Sequence, residues 1–336
     1  MEIECDDPGV TGSRQTEETL TRPQRVTFTT DALLVAVAAG FWLMVGLTVA
    51  NAATPAVNGV DTAPALELLA RHEALRDQLA TNPFNRPLVL ESSQTSNDVK
   101  GDIYGVVPRS FDKLSAALAK PQGWCEILIL HLNTKYCRVS HEPQGTALLM
   151  NVGKKFDQPL AESFRLNFAW QLAEQKADYL RAQLSAESGP LSTRDYRIVL
   201  EAVPLANGTT FLHLSYAYGF GVTGKIAMLA YFSTAGRNKV GFSVTGTDQD
   251  GKPIYIDGMR GLVERNTMRY YLAIESFLGA MAAPEAAQFE KRINDWFIAI
   301  ERYPRQLHEM EKTDYLVMKR KEYLRQQQDE KTGGPG

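Results

Sequence analysis

Between Gly219 and Lys225 the sequence reads GFGVTGK, a G-x-x-x-x-G-K spacing that could do phosphate chemistry. A phosphate loop wraps the β-phosphate in backbone N–H groups, sets its lysine on the β/γ oxygens and puts a Ser or Thr hydroxyl on magnesium directly after that lysine. Here the next residue is Ile226, and the flanking segments alternate as antiparallel strands rather than βαβ units. Nucleotide chemistry is therefore set aside. The glycines Gly219, Gly221, Gly224 and Gly236 read instead as hinges on either side of a short apolar helix from Lys225 to Phe232. A helix so short and apolar all round must be covered. Either it is plugged into the core, or Ile226, Met228, Leu229 and Phe232 form a lid over a binding site, with Lys225, Arg237 and Lys239 beside it to meet anionic head groups.

The remaining reactive residues are few. Cys5 precedes the long apolar run described below, which leaves Cys125 and Cys137 as an even pair. In an oxidising compartment a disulfide is the expectation, two free thiols or a metal site of Cys137 with His131 or His141 being the alternatives, and no C-x-x-C or H-x-x-x-H spacing supports the metal. No paired carboxylates, Ser/His/Asp set or positioned Cys/His pair stands out, and no cofactor or metal is implied. His213 falls on the polar phase of its strand and reads as an exposed-face residue, while Glu264, Arg265 and Arg269 read as helix-surface charges.

Elements must position these residues, and composition bounds them. The 336 residues are 44% hydrophobic and 22% charged with a formal net charge of -3. That is ordinary globular composition, with no global field and no basic-aromatic run to attract nucleic acid. Ala32 to Ala50 is apolar and uncharged, preceded by Arg22 and Arg25 and followed by the small-x-small site Ala50-Asn51-Ala52. It reads as a signal peptide cleaved after Ala52, or as a retained anchor, since about 19 residues come close to the ~20 that span a bilayer. Either way the rest of the chain is expected outside the cytoplasm, periplasmic or extracellular.

Downstream, Pro64 to Leu79 places Leu68, His72, Leu75 and Leu79 on one helical face with Thr62 as a cap. RPLVLESSQ and NDVKGDIYGVV read as a strand pair, Ser110 opens a helix, and Pro121-Gln122-Gly123 ends it. From Leu132 to Tyr218 the pattern is an antiparallel meander. Its clearest alternation is FRLNFAWQL, where Phe164, Leu166, Phe168, Trp170 and Leu172 face one way, and Asn207-Gly208 is a hairpin turn. A further strand is expected over Lys239 to Thr245. A long helix follows from Gly261 to Met281 with Val263, Thr267, Tyr270, Ile274, Phe277, Leu278 and Met281 on one stripe, and two charged helices come after Pro284 with solvated charge runs.

This order resembles the START-like helix-grip superfamily, the SRPBCC group that includes steroid- and lipid-transfer domains and polyketide cyclases. The resemblance spans Arg86 to Met281 and is carried by GDIYGVVPRSFDKLSAAL leading to WCEIL, and by GLVERNTMRYYLAIESFL as the closing helix. The sequence departs from it in the insertion Val222 to Phe232, in the strand near Lys239 and in the helices after Pro284. The resemblance implies an α+β fold: a curved antiparallel sheet wrapped around a long C-terminal helix, here with extra C-terminal helices. It also implies an apolar cavity between sheet and helix, for which Leu166, Phe168, Trp170, Leu214, Tyr216, Tyr270 and Ile274 are the lining expected, holding a lipid or other hydrophobic small molecule. A dry core built of the same residues is the alternative, as are a cyclase- or hydrolase-type enzyme using Arg269 or Tyr271, and a non-catalytic envelope scaffold. The chain then divides into residues 1–52 (extension and signal peptide or anchor), 53–85 (linker and first helix), 86–283 (helix-grip domain), 284–328 (appended charged helices) and 329–336 (a tail of disordered composition).

Overall fold

A computed structural model describes residues 63–226 and 238–332. The apolar run Ala32 to Ala50, read above as a signal peptide or anchor, the expected Thr62 cap and the expected lid positions Met228, Leu229 and Phe232 lie outside those residues. The described elements all belong to one compact unit.

In chain order they are α1 (Ala63–Ala74), α2 (Arg76–Ala80), β1 (Leu88–Gln94), β2 (Asp98–Val107), α3 (Phe111–Leu118), α4 (Pro121–Leu128), β3 (Thr134–Glu142) and β4 (Gly145–Val152). There follow β5 (Phe164–Gln175), β6 (Leu180–Ser188), β7 (Thr193–Pro204), β8 (Thr210–Phe220), β9 (Val244–Thr247) and β10 (Pro253–Tyr255). The chain closes with α5 (Gly258–Ala280), α6 (Glu285–Ile300), α7 (Pro304–Leu307) and α8 (Lys312–Thr332). Strands β1 to β8 make one antiparallel sheet in the order β1-β2-β8-β7-β6-β5-β4-β3. Successive strands are neighbours except where α3 and α4 carry the chain from β2 to the far edge at β3. The hairpin between β7 and β8 turns at Gly208, whose φ of +77° is the left-handed value the Asn-Gly pair provides.

α5 lies across one face of this sheet, against β1, β2, β8 and α4. The chain therefore has an α+β helix-grip fold. Two glycines bring helix and strand together: a Cβ on Gly101 would fall on the Thr267 side chain, and one on Gly105 on the Tyr271 phenol. On the opposite face α1 and α2 bury Leu68, Leu75 and Leu79 against Val89, Tyr179, Val203 and Phe211, a second apolar layer. Cys125 of α4 and Cys137 of β3 are joined in a disulfide with Cα atoms 5.3 Å apart, which ties the end of α4 to the edge strand.

The helix opened by Ser110 ends at Leu118, before Pro121-Gln122-Gly123, and these three residues begin α4, because proline tolerates the first helical turn. Two expectations are corrected. Residues 239–243 form no strand; β9 starts at Val244 and pairs only with β10, apart from the main sheet. The C-terminal helices are not solvated on all their charged faces. α6 buries Phe289, Ile293, Trp296, Phe297 and Ile300, and covers the side of α5 turned away from the sheet. α8 is held by a fully buried ion cluster in which Lys135 and Lys319 share Glu322 at 3.0 and 2.7 Å, and by Tyr315 donating to the Leu130 carbonyl at 3.0 Å.

Candidate functional site

Strand periodicity sorts the sheet into two chemically different faces. Toward α5, β5 presents Leu166, Phe168 and Trp170, β7 presents Tyr196, Ile198 and Leu200, and β8 presents Leu212, Leu214, Tyr216, Tyr218 and Phe220. All seven expected lining residues belong to this cluster or pack on it: Leu166, Phe168, Leu214, Tyr216 and Ile274 are buried, Trp170 and Tyr270 half-buried. Tyr216 and Tyr270 meet edge to face at 5.2 Å. Phe168 reaches them only through Tyr196, 6.3 Å from each of Phe168 and Tyr216.

Sequence reasoning missed Tyr196, Tyr218 and His131. Tyr196 and Tyr218 stack at 5.3 Å, and the His131 ring stacks on Tyr270 at 5.0 Å. The signal for the two tyrosines was there, since each shares the inward phase of its strand with Ile198 or Tyr216. His131 follows α4 in a turn, where no periodicity marks it. Burial raises the phenols of Tyr216, Tyr218 and Tyr270, so all three stay neutral hydrogen-bonding groups. Burial, then the positive charges of Arg269, Lys319 and Lys155, push His131 well below the usual imidazole range. Its Nδ1 accepts the Asn133 N–H at 3.2 Å, so the neutral ring carries its proton on Nε2. That Nε2, in a side chain only 4% exposed, has no hydrogen-bond partner, Asn266 lying beside it outside bonding geometry. The Trp170 Nε1 is likewise buried without a partner.

Helix α5 carries charge inside the molecule, against the expectation of surface residues. Glu264 is buried: Oε1 accepts from the Ser92 and Ser243 hydroxyls at 2.5 and 2.6 Å, and Oε2 from the Phe242 and Ser243 N–H groups at 2.6 and 2.9 Å. The backbone donors a strand at 239–243 would have used thus hold a carboxylate. Arg265 and Arg269 are buried as well, Arg265 near the Tyr218 phenol and Arg269 under the segment leading to α8, where it also donates to the Leu307 carbonyl. Arg269 donates to Glu309 at 2.8 Å, and the same carboxylate takes Lys155 at 2.7 Å and Lys239 at 3.0 Å. Burial alone would raise Glu309, but Arg269 and Lys155 hold it at about 2; burial and Arg269 bring Lys155 down to about 8. Tyr271, the other candidate for catalysis, packs over Gly105 with Arg86 above its ring, on the far side of the helix from Glu309. Arg269 and Tyr271 do not form one site.

The chain leaves β8 at one end of this face. Residues 222–226 are helical and rest on the turn of Leu191 and Ser192, both with left-handed φ values of 57° and 58°. At this rim Val222 is 76% exposed, Ile226 64% and Leu191 55%, an apolar patch with Lys225 within it. Of the expected lid, only Ile226 lies among the described residues, and it faces solvent.

The outer face holds a second cluster, and His213 is the correction there. It is not exposed: Nε2 is 2.9 Å from Asp102 and Nδ1 2.9 Å from Glu201, with Tyr104 stacked on the ring at 4.4 Å. Burial would lower the imidazole, but the hydrogen bonds to Asp102 and Glu201 hold it above its ordinary value. The stabilisation is therefore complete below about pH 6.5 and is lost as pH rises through the folded-state value. Urea unfolding between pH 5.5 and 8.5 is expected to show the stability advantage of the wild type over His213→Gln shrinking as pH rises across this window, because His131, Lys155 and Lys319 give both proteins the same further slope; an advantage independent of pH would contradict it. Cys137, being in the disulfide, is not a metal ligand, and among the described residues no group of three or more His, Cys, Asp or Glu could hold a metal ion. Among the described residues no helix is long and apolar enough to cross a membrane.

No family model matches the sequence, and neither does any curated protein. Solved structures are matched at low similarity. Norcoclaurine synthase from Thalictrum flavum is 15% identical with a TM-score of 0.29, covering 44% of this chain and 80% of that one. A conserved protein from Geobacillus kaustophilus is 11% identical with a TM-score of 0.30, covering 55% and 95%. Human StAR-related lipid transfer protein 5 is 8% identical with a TM-score of 0.27, covering 51% and 90%. Strand order and the seat of α5, rather than these scores, define the fold.

Proposed function

We propose that this START-like helix-grip domain binds a lipid or other hydrophobic small molecule between the inward face of its sheet and α5, and carries it to or from a membrane surface outside the cytoplasm. One observation carries the reading: the inward face gathers Trp170, Tyr196, Tyr216, Tyr218, Tyr270 and His131, and it keeps the Trp170 and His131 N–H groups inside without partners. A core serving only stability excludes such groups, since each unsatisfied donor costs about 1–3 kcal/mol. An aromatic wall with a few inward donors is the ordinary chemistry of a site for an amphipathic small molecule.

The rim supports the transfer part. Val222 and Ile226 stand one helical turn apart, both exposed, with Leu191 and Lys225 beside them, a combination suited to entering an anionic interface. The Cys125–Cys137 bridge supports an oxidising compartment, in keeping with cleavage after Ala52 or with retention of the preceding run as an anchor. Val222→Asp with Ile226→Asp is expected to cut anionic vesicle binding and lipid exchange about tenfold or more while leaving the unfolding transition in place, because both side chains already face solvent. Exchange at the wild-type rate would remove the rim from the account.

A further inference from the structure

We infer, resting on the binding reading above, that the molecule held against α5 carries an anionic head, a carboxylate or a phosphate, received by Lys155, Lys239 and Arg269 with Glu309 as the internal group it displaces. The geometry begins with the count of charges. Three cations converge on one carboxylate at 2.7, 3.0 and 2.8 Å, which leaves two positive charges in excess. Nor does the intervening chain correct it: from Ala202 to Thr247, the stretch that brings Lys239 to the cluster, the sequence contains no aspartate or glutamate. Ion clusters that serve only stability tend toward balance, because an uncompensated charge away from water is strongly unfavourable.

Position links the cluster to the aromatic face. The Arg269 side chain is 2% exposed and sits beside Tyr270, whose ring touches both His131 and Tyr216. Lys155 and Lys239 remain 29% and 28% exposed. Cations therefore run from the surface to the edge of the aromatic face, an order that suits an amphiphile whose head stays near water while its tail lies along the sheet. Glu309 belongs to the segment joining α7 to α8, so a competing anion would exchange one carboxylate–cation set for another without exposing the buried guanidinium.

The test compares heads on one tail. Purified full-length protein is titrated with oleate, 1-oleoyl lysophosphatidate and oleyl alcohol, each below its aggregation threshold. The inference expects at least one anion to bind about tenfold or more tighter than the alcohol, as a charge-assisted contact supplies, and the stronger of the two identifies the head as carboxylate or phosphate. Lys155→Met with Lys239→Met, at part-exposed positions that leave the fold intact by circular dichroism, should bring the anions down to the alcohol's affinity without changing the alcohol. Glu309→Gln should strengthen the anions further. Equal affinity for all three molecules, or an anion preference that survives the double lysine substitution, would overturn the inference while leaving the binding site itself standing. Failure of all three to bind would instead refute the binding reading on which it rests.

Discussion

Glu322→Gln is expected to lower the free energy of unfolding by about 3–5 kcal/mol, the range seen when one partner of a buried ion cluster is removed. Glu322 is the only carboxylate that ion-pairs with Lys135 and Lys319 among the described residues, and all three side chains are buried. Lys135 also donates to the Leu132 carbonyl, and Lys319 to the carbonyls of His131 and Thr134. These bonds satisfy hydrogens but do not neutralise two ammonium groups. Burial already brings Lys319 down to about 8 with the glutamate in place. Replacing all three together, Lys135→Met, Lys319→Met and Glu322→Leu, should restore most of the loss, because a well-packed apolar set of similar volume avoids desolvating charge. Chemical denaturation of the two variants beside the wild type decides it. A loss below about 1 kcal/mol for Glu322→Gln would mean that α8 is not held as described.

The second large effect concerns the grip itself. Gly101→Ala should cost about 1–3 kcal/mol, because the added methyl falls on the Thr267 side chain of a helix that cannot withdraw between sheet and α6. Adding Thr267→Ala removes the hydroxyl that the methyl meets first, so the double variant should recover most of the loss, and the two changes should be strongly non-additive. Thr267 donates only to the Val263 carbonyl of its own helix, and its removal alone is expected to be mild. If the two changes simply add, α5 and β2 do not meet at this point.

Much of the scaffold was legible because local chemistry and tertiary outcome agreed. The alternation of FRLNFAWQL became β5, Asn207-Gly208 became the β7–β8 hairpin, and the two cysteines left downstream of the apolar run became the disulfide. What was not legible depended on a second burying surface. The apolar stripe of α5 accounts for its contact with the sheet, yet Ser92 and the 242–243 backbone enclose Glu264, the Tyr218 phenol lies beside Arg265, and Leu307 and Glu309 cover Arg269, so all three are inside although they lie off the stripe. The spacing of Phe289, Ile293, Trp296 and Ile300 in α6 demanded an apolar partner and was the available signal. The stretch KVGFSV has strand-like composition, but its N–H groups turn to the Glu264 carboxylate, a contact 21 or 22 residues away in sequence that no local pattern encodes. His213 failed for a similar reason. Its polar phase was read correctly, but the carboxylates of Asp102 and Glu201 on neighbouring strands draw it out of solvent.

The central claim is that a ligand lies between the inward face of the sheet and α5, and photochemical labelling tests it most directly. A fatty acid bearing a diazirine in mid-chain is equilibrated with the purified full-length protein, irradiated, and the adducts are mapped by peptide mass spectrometry. The account predicts adducts on the segments containing Phe168 and Trp170 of β5, Tyr216 of β8 and Tyr270 of α5, suppressed by excess unlabelled fatty acid and absent from the His213 face. Adducts confined to the outer face or to the exposed rim, or labelling that unlabelled fatty acid does not suppress, would contradict it.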